Sequence, residues 1–352
     1  MDLARQAGGF DIVAGADYFP DRVTAFGNKF GVAANHCFTG LDGYRRMIEA
    51  GGLDAVAIES PPFFHPRQAI DAVTAGLHVY LAKPIAVDVP GCKLVAEAGR
   101  MATTAGKVML VDFQTRASEP FQKAIARVHD GALGEICFGE AVYEADRLGI
   151  QVGGNGVAEQ RLRNWVFDKA LSGDIITEQN IHTLDVMNWI LGVPPVRATG
   201  TGGRKSRVDA GDCWDHFSVL YEYPGNVGIQ FHSRQYNGWG AGGSITNRVF
   251  GNKGMISTEY GGKVFLRGEA GVTMNAGTTP GIYRDGAQAN LAAFRTAIAA
   301  RDATNPTVAP SVQSNLITLL GRKAAYTGST VTWDDLLKDA ASLDGRLDDL
   351  KA

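Results

Sequence analysis

No apolar run in this chain approaches the roughly 18 residues that a membrane-crossing helix needs. The start, Met1-Asp2-Leu3-Ala4-Arg5, has no apolar signal core. A soluble protein without a membrane partner is therefore expected. There is no long Lys/Arg block, and 34 basic against 37 acidic residues give a net charge of −3, which argues against nucleic acid or an anionic membrane as the main partner. The four cysteines, Cys37, Cys92, Cys137 and Cys213, stand alone; without Cys-x-x-Cys spacing neither a zinc knuckle nor a redox pair is expected, and the compartment stays undefined by them. Internal repeats and low-complexity linkers are also missing. What remains is a chain of 352 residues, 45% hydrophobic and 20% charged, long enough for two domains, for which a small neutral molecule is the fitting partner.

From Phe10 to Asp112, short apolar runs alternate with helical patterns. Ile12 to Ala16, Ala55 to Ile58, Val79 to Leu81 and Val108 to Val111 read as strands; Asp21 to Phe30, Pro66 to Ala75 and Pro90 to Ala105 read as helices. Continuous apolar runs between helices suit a parallel sheet covered on both faces, so residues 1–115 are expected to form a doubly wound, Rossmann-like α/β domain. After a helix from about Pro120 to His129 the pattern changes. Cys137 to Glu144, Val196 to Gly200, Phe217 to Tyr223, Gly228 to Arg234, Ile245 to Phe250 and Met255 to Glu259 read as strands, several with no helix between them. Residues 116–352 are thus expected to form an α+β domain with a large, mostly antiparallel sheet. Helices return at Ala287 to Ala300, Ser311 to Tyr326 and Trp333 to Leu350, and these C-terminal helices are expected to pack back on the first domain.

Asp17 follows the first strand, where such folds place an acid that accepts both hydroxyls of an adenosine ribose. It also suits the opening of the turn Asp17-Tyr18-Phe19-Pro20. A dinucleotide fold ordinarily begins with one more strand and a Gly-rich turn at a helix N-terminus, yet Met1 to Gly8 reads as the tail of the helix that follows such a turn. The sequence leaves two expectations open: a first strand and glycine loop upstream of Met1, or a cofactor site that has lost them. The single match to G-x-G-x-x-G, Gly238 to Gly243, lies between two strands and is read as a connection bordering the substrate rather than a phosphate loop.

Two further stretches carry chemistry. Ala82-Lys83-Pro84 places a lysine where a strand leaves the sheet. Gly173 to Asp185, closed by Trp189, sets Glu178 and His182 four residues apart, with Asp185 on the same expected helical face. Taken alone, the lysine reads as a solvated charge and the histidine as a packed core residue. Together with Asp17, the run Leu53 to Pro62 leading to His65, the run Ala75 to Pro84, the helix ending Asp185 to Gly192 and the turn Phe250 to Gly254, they give the chain the landmarks of a family. It resembles the glucose-fructose oxidoreductase/inositol dehydrogenase/MocA family over nearly its whole length. The family usually writes Glu-Lys-Pro and Asp-x-Gly-x-His, where this chain has Ala82-Lys83-Pro84 and Glu178-Gln179-Asn180-Ile181-His182.

That resemblance implies hydride transfer between NAD, ahead of NADP, and a ring hydroxyl or ketone of a sugar, cyclitol or glycoside. It implies His182 as general acid/base, Lys83 stabilising the alkoxide, and Glu178 orienting the imidazole or binding a hydroxyl. Cofactor contacts are expected from Asp17, Tyr18, Ser60, Pro61, His65, Lys83 and Gln114. Substrate contacts are expected from Arg116, Arg163, Trp165 and Asp185, with a salt-bridge network as the alternative use of the residues at 161–165. No metal is expected. Two other functions stand beside the leading one: NAD-assisted glycoside cleavage by oxidation, elimination and reduction, and a non-catalytic sugar- or cofactor-binding regulator. The resemblance further implies a homodimer or homotetramer. The cytoplasm is the expected compartment, or the periplasm where an export leader precedes Met1.

Overall fold

The structure, a computed structural model, describes all 352 residues. Its first part carries five parallel strands: β1 (Gly15–Asp17), β2 (Cys37–Thr39), β3 (Ala55–Ile58), β4 (His78–Ala82) and β5 (Met109–Asp112). They form two ladders, β1 with β2 and β3-β4-β5 in that order, with no backbone pairing between the ladders. Along β4, Val79 and Leu81 are fully buried against the helices His65–Thr74 and Val89–Thr104, whereas Tyr80 packs with Leu110 and Phe294 on the other face. A strand buried on both sides reads as a continuous apolar run, which is why β3 to β5 lie where the sequence places them. The expected strand at Ile12 to Ala16 is shorter and later, at Gly15–Asp17. β2 and the helix Gly43–Glu49 carry too few apolar residues in series to announce themselves.

The outer edge of β5 is closed by side chains. Met109 N–H donates to Asn305 Oδ1 at 2.7 Å and Val111 N–H to Thr307 Oγ1 at 2.9 Å, so a two-residue polar hook replaces a sixth strand.

The second part holds nine strands: β6 (Ile136–Ala145), β7 (Arg197–Gly203), β8 (His216–Tyr223), β9 (Val227–Gln235), β10 (Ser244–Gly251), β11 (Gly254–Glu259), β12 (Lys263–Gly268), β13 (Gly271–Thr278) and β14 (Val331–Thr332). Their order is β13-β12-β11-β10-β6-β9-β8-β7-β14, antiparallel throughout except for the parallel pair β6 and β9. β12 and β13, glycine-bounded and weakly alternating, are additions to the sequence reading. β9 and β10 flank β6 on either side, so the loop Gly238 to Gly243 crosses the end of β6 instead of turning a hairpin. The helices Glu119–His129, Ile181–Leu191 and Val308–Thr327 cover one face of this sheet. A single core cluster of 55 side chains runs from Val56 in β3 to Leu266 in β12, so the two parts share one interior.

The expected helix from Trp333 to Leu350 is corrected. It stops at Leu337, and the chain beyond has no regular ladder. From Leu343 to Leu347 the less exposed positions, Leu343, Gly345 and Leu347, fall at every second residue, a period that suits extended chain.

Asn305, at φ 52 and nearly buried, also donates to Thr103 Oγ1 and Lys107 O. Asn305→Ala leaves the Met109 N–H unpaired and puts alanine in the left-handed region, so a loss of about 2–4 kcal/mol is expected in urea unfolding. A loss below about 1 kcal/mol would show that water serves the edge equally well.

Candidate active site

Lys83 leaves β4 and crosses to the second domain. Its Nζ donates to the Glu178 carbonyl at 2.7 Å and lies 3.4 Å from Glu178 Oε1, with both side chains mostly buried. Glu178 and His182 do not share one helix as expected. The run breaks into Ile175–Glu178 and Ile181–Leu191, with Gln179 and Asn180 at the bend. Glu178 therefore pairs with Lys83, while His182 Nδ1 is buried without a partner. The expectation that the carboxylate orients the imidazole is not met.

Lys83, Glu178 and His182 line one cleft of about 400 Å³, together with Gln179, Arg163, Asn164, Trp165, Tyr143, Tyr260, Tyr283, Gln151 and Leu148. The His182 ring lies 5.2 Å from that of Tyr260. Burial, and secondarily the Lys83 charge, hold the imidazole well below the ordinary histidine value, so it is neutral at pH 7. Gln179 accepts from Gln235 Nε2 at 2.7 Å, which fixes the bend against β9. The tyrosines escaped the sequence reading because they come from three distant elements with no shared spacing; Gln179, lying between Glu178 and His182, could have been singled out.

Other expected residues are placed differently. Asp185 is fully buried and bound two-pronged by Arg116, with Nε 3.0 Å from both carboxylate oxygens and Nη2 2.8 Å from Oδ1; Ser314 Oγ donates to Oδ1 at 2.6 Å. This pair is absent from the cleft lining and ties the segment after β5 to the helix Ile181–Leu191. Arg163 reaches the cleft but is held by Asp21 at 2.8 Å and stacks 4.0 Å from the Phe19 ring. Arg161 pairs with buried Asp168 at 2.7 Å, so the network alternative describes 161 and 163 well. His65 is almost wholly buried, Nδ1 2.8 Å from Pro84 O and Nε2 2.6 Å from Ser60 O. The neutral ring has one N–H, so one nitrogen donates to a carbonyl and the other only abuts one; packed between the two carbonyls, the ring joins the turn after β3 to the turn after β4 and turns neither nitrogen to a cofactor. Ser60 Oγ is turned to Gln68, and Tyr18 OH donates to Glu159.

Residues 2–113 match the oxidoreductase family's NAD-binding Rossmann fold, and residues 121–257 match the GFO/IDH/MocA C-terminal domain. The chain belongs to the GFO/IDH/MocA oxidoreductase family. Among its relatives, D-glucoside 3-dehydrogenase of Escherichia coli is 27% identical over 63% of this chain and 60% of its own length. Inositol 2-dehydrogenase of Burkholderia cenocepacia is 26% identical over 72% of this chain and 67% of its own. An oxidoreductase domain protein from Kribbella flavida superposes with a TM-score of 0.76 at 19% identity, covering 94% of this chain and 93% of that one. The chain thus spans about 60% of the length of the first of these relatives.

The family's dinucleotide fits the residues at both ends of its expected path. Asp17 closes β1 with Oδ1 accepting the Phe19 N–H at 2.9 Å and Oδ2 3.9 Å from Arg22. Just beyond β5, Gln114 Oε1 and Thr115 Oγ1 are buried without partners, acceptors and donors free for a ligand. No three His, Cys, Asp or Glu side chains converge as a metal site.

Arg116→Met strands a buried carboxylate and is expected to cost about 3–5 kcal/mol, with KM per folded molecule unchanged; a raised KM at native stability would restore Arg116 to the substrate. Burial pushes the His65 pKa down to about 4. Between the unfolded value near 6.5 and about 4, the unfolded chain takes up a proton that the folded one refuses, so stability is lost as pH falls through that window. Guanidinium unfolding at pH 7 and 5 is expected to show a smaller acid loss for His65→Gln than for the native chain. Equal losses would remove His65 as the cause.

Proposed function

We propose that the protein transfers a hydride between a nicotinamide dinucleotide, NAD ahead of NADP, and a ring hydroxyl or ketone of a neutral sugar, cyclitol or glycoside. The observation that carries this reading is the convergence of Lys83 and His182, from separate domains, on one cleft. Bound dinucleotide supplies the two-electron acceptor or donor. In the oxidative direction neutral His182 takes the hydroxyl proton as the adjacent C–H departs as hydride, and in reduction it returns it. Lys83 has three ammonium donors. Its bond to Glu178 O fixes the stem's direction and leaves donors for the reacting oxygen, whose negative charge they stabilise.

The cleft's charges favour a neutral substrate. Lys83 is balanced by Glu178 and Arg163 by Asp21, so no unpaired cation awaits a carboxylate or phosphate. The rings of Tyr143, Trp165, Tyr260 and Tyr283 supply apolar faces with polar edges, suited to the C–H and O–H surfaces of a polyol. Asp17 supports NAD, because its carboxylate repels a 2′-phosphate. Lys83, Asp17 and Gln114 hold the dinucleotide in this reading, with the turns at Tyr18 and Ser60-Pro61 beside it. The outer sheet face, where Phe138 and Leu220 are exposed, is the surface for a homodimer or homotetramer.

The test is a fluorescence titration with NADH and NADPH, followed by a screen of neutral sugars and cyclitols. NADH is expected to bind more tightly than NADPH. His182→Asn should lower turnover by about 10²- to 10⁴-fold and Lys83→Met should do likewise, both at native melting temperature. Because burial holds His182 below its ordinary value, the oxidative rate should persist as pH falls through 6.5. Undiminished turnover in both variants, or no NADH binding at all, would discard the reading.

A further inference from the structure

Residues 343–352 run along the edge of the sheet where ligands of open α/β folds bind. Leu343 N–H donates to Asp88 Oδ2 at 2.9 Å, beyond β4. Gly345 packs against Phe63, beyond β3, so closely that a Cβ there would sit 2.8 Å from the ring. Leu347 and Leu350 join a cluster with Tyr18, Phe19, Phe63 and Phe64. Lys351 N–H donates to Tyr18 OH at 3.4 Å, beyond β1, and Lys351 O accepts the Leu41 N–H at 3.0 Å, beyond β2. The segment thus touches the chain following the carboxyl ends of β4, β3, β1 and β2. It is pinned from the second domain as well: Arg161 donates to the carbonyls of Gly345 and Arg346, each at 3.0 Å.

We infer that residues 343–352 form the outer wall of the adenosine half of the cofactor cleft, so that release of a bound dinucleotide requires this segment to loosen. The inference rests on the oxidoreductase reading. Its basis is position: the segment packs upon Tyr18, which follows Asp17 at the end of β1, and upon Phe63, which follows Ser60-Pro61 after β3, beside the residues that would meet an adenosine. Lys83 and His182, at the nicotinamide end, have no contact with it among the bonds and clusters described. The segment's own chemistry suits a removable wall. It has no regular ladder, its anchors are the contact of Gly345 with Phe63, two leucines and a few hydrogen bonds, and of its residues only Gly345 is fully buried. Loosening it would expose little beyond Leu347 and Leu350, while both domains keep the core they share.

Fragments of the cofactor separate the two ends. With the full-length chain, AMP probes the adenosine half and nicotinamide mononucleotide the other. Leu347→Ala/Leu350→Ala is expected to speed NADH dissociation at least tenfold in stopped-flow fluorescence and to weaken AMP binding at least tenfold in calorimetry, with nicotinamide mononucleotide binding changed less than twofold. NADH and AMP behaviour within twofold of native, tighter AMP binding, or equal weakening of both fragments would overturn the inference. Should the double variant not fold, hydrogen exchange on the native chain decides: AMP is expected to slow exchange at Leu343, Leu350 and Lys351, and unchanged exchange would overturn it. A native chain that binds neither NADH nor AMP refutes the oxidoreductase reading itself, whereas NADH binding with an indifferent segment refutes only the wall.

Discussion

The polar stripe of the helix Val308–Thr327 holds the two halves of the cleft in register. Asn315, fully buried, accepts the Ile85 N–H at 3.1 Å and donates to Ala86 O at 3.1 Å, two and three residues beyond Lys83. One turn later, Thr318 donates to Thr177 Oγ1 at 3.0 Å, beside Glu178. Ser314 reaches Asp185 and Arg322 reaches Gly173 O at 2.7 Å. Residues 314, 315, 318 and 322 share a helical face. Each of these buried groups, left alone, would cost about 1–3 kcal/mol, so the face is stable only when the turn after β4 and the segment Gly173–Asp185 are both docked on it. The relative placement of Lys83 and His182 thereby depends on this one helix of the second part, on which both segments dock.

Two ion pairs near this helix show how geometry separates structure from chemistry. The Arg116–Asp185 pair is two-pronged and receives a further hydrogen bond from Ser314, so that three donors hold the buried carboxylate. In the Lys83–Glu178 pair the short bond goes to the backbone carbonyl, and the carboxylate stands farther off at 3.4 Å. An ammonium so placed is desolvated and aimed, yet keeps donor capacity. The same economy leaves the cleft without surplus charge.

How much of this could be read from the sequence follows from the range of the interactions. β3, β4 and β5 were legible because burial on both faces writes continuous apolar runs, and the landmarks around Lys83 and His182 marked two side chains that the fold brings to one cleft. β2, β12 and β13 were not, since short or glycine-bounded strands owe their existence to neighbours already in place. The helix expected through Leu350 failed for a related reason: Leu343, Leu347 and Leu350 are spaced as a helix would space them, but Leu347 and Leu350 pack in a cluster with the distant Tyr18, Phe19 and Phe63, and Leu343 is held by Asp88. Arg116 and Asp185, 69 residues apart, each looked available for substrate, because a pairing across that separation leaves no local trace. The bend at Gln179-Asn180, which sends Glu178 to Lys83 and away from His182, was equally hidden in a run that satisfies helical spacing.

That bend is where the protein gives up internal satisfaction. Asn180 is fully buried with both amide atoms unpartnered, and His182 Nδ1 and Gln235 Oε1, on either side of Gln179, are unpartnered too. Arg163 Nε, in the cleft lining, and Gln114 Oε1 and Thr115 Oγ1, beyond β5, are unpartnered as well. Native interiors pair the great majority of buried polar atoms, as this one does at Asn305, Asn315 and Asp185; Tyr80 OH, Ser233 Oγ, Arg204 Nε and Arg207 Nε are further exceptions. A continuous helix through residues 175–191 would have removed the bend, but would also have carried Glu178 away from Lys83. The interrupted helix therefore trades local stability for a lysine aimed by a carbonyl and an imidazole kept neutral beside it.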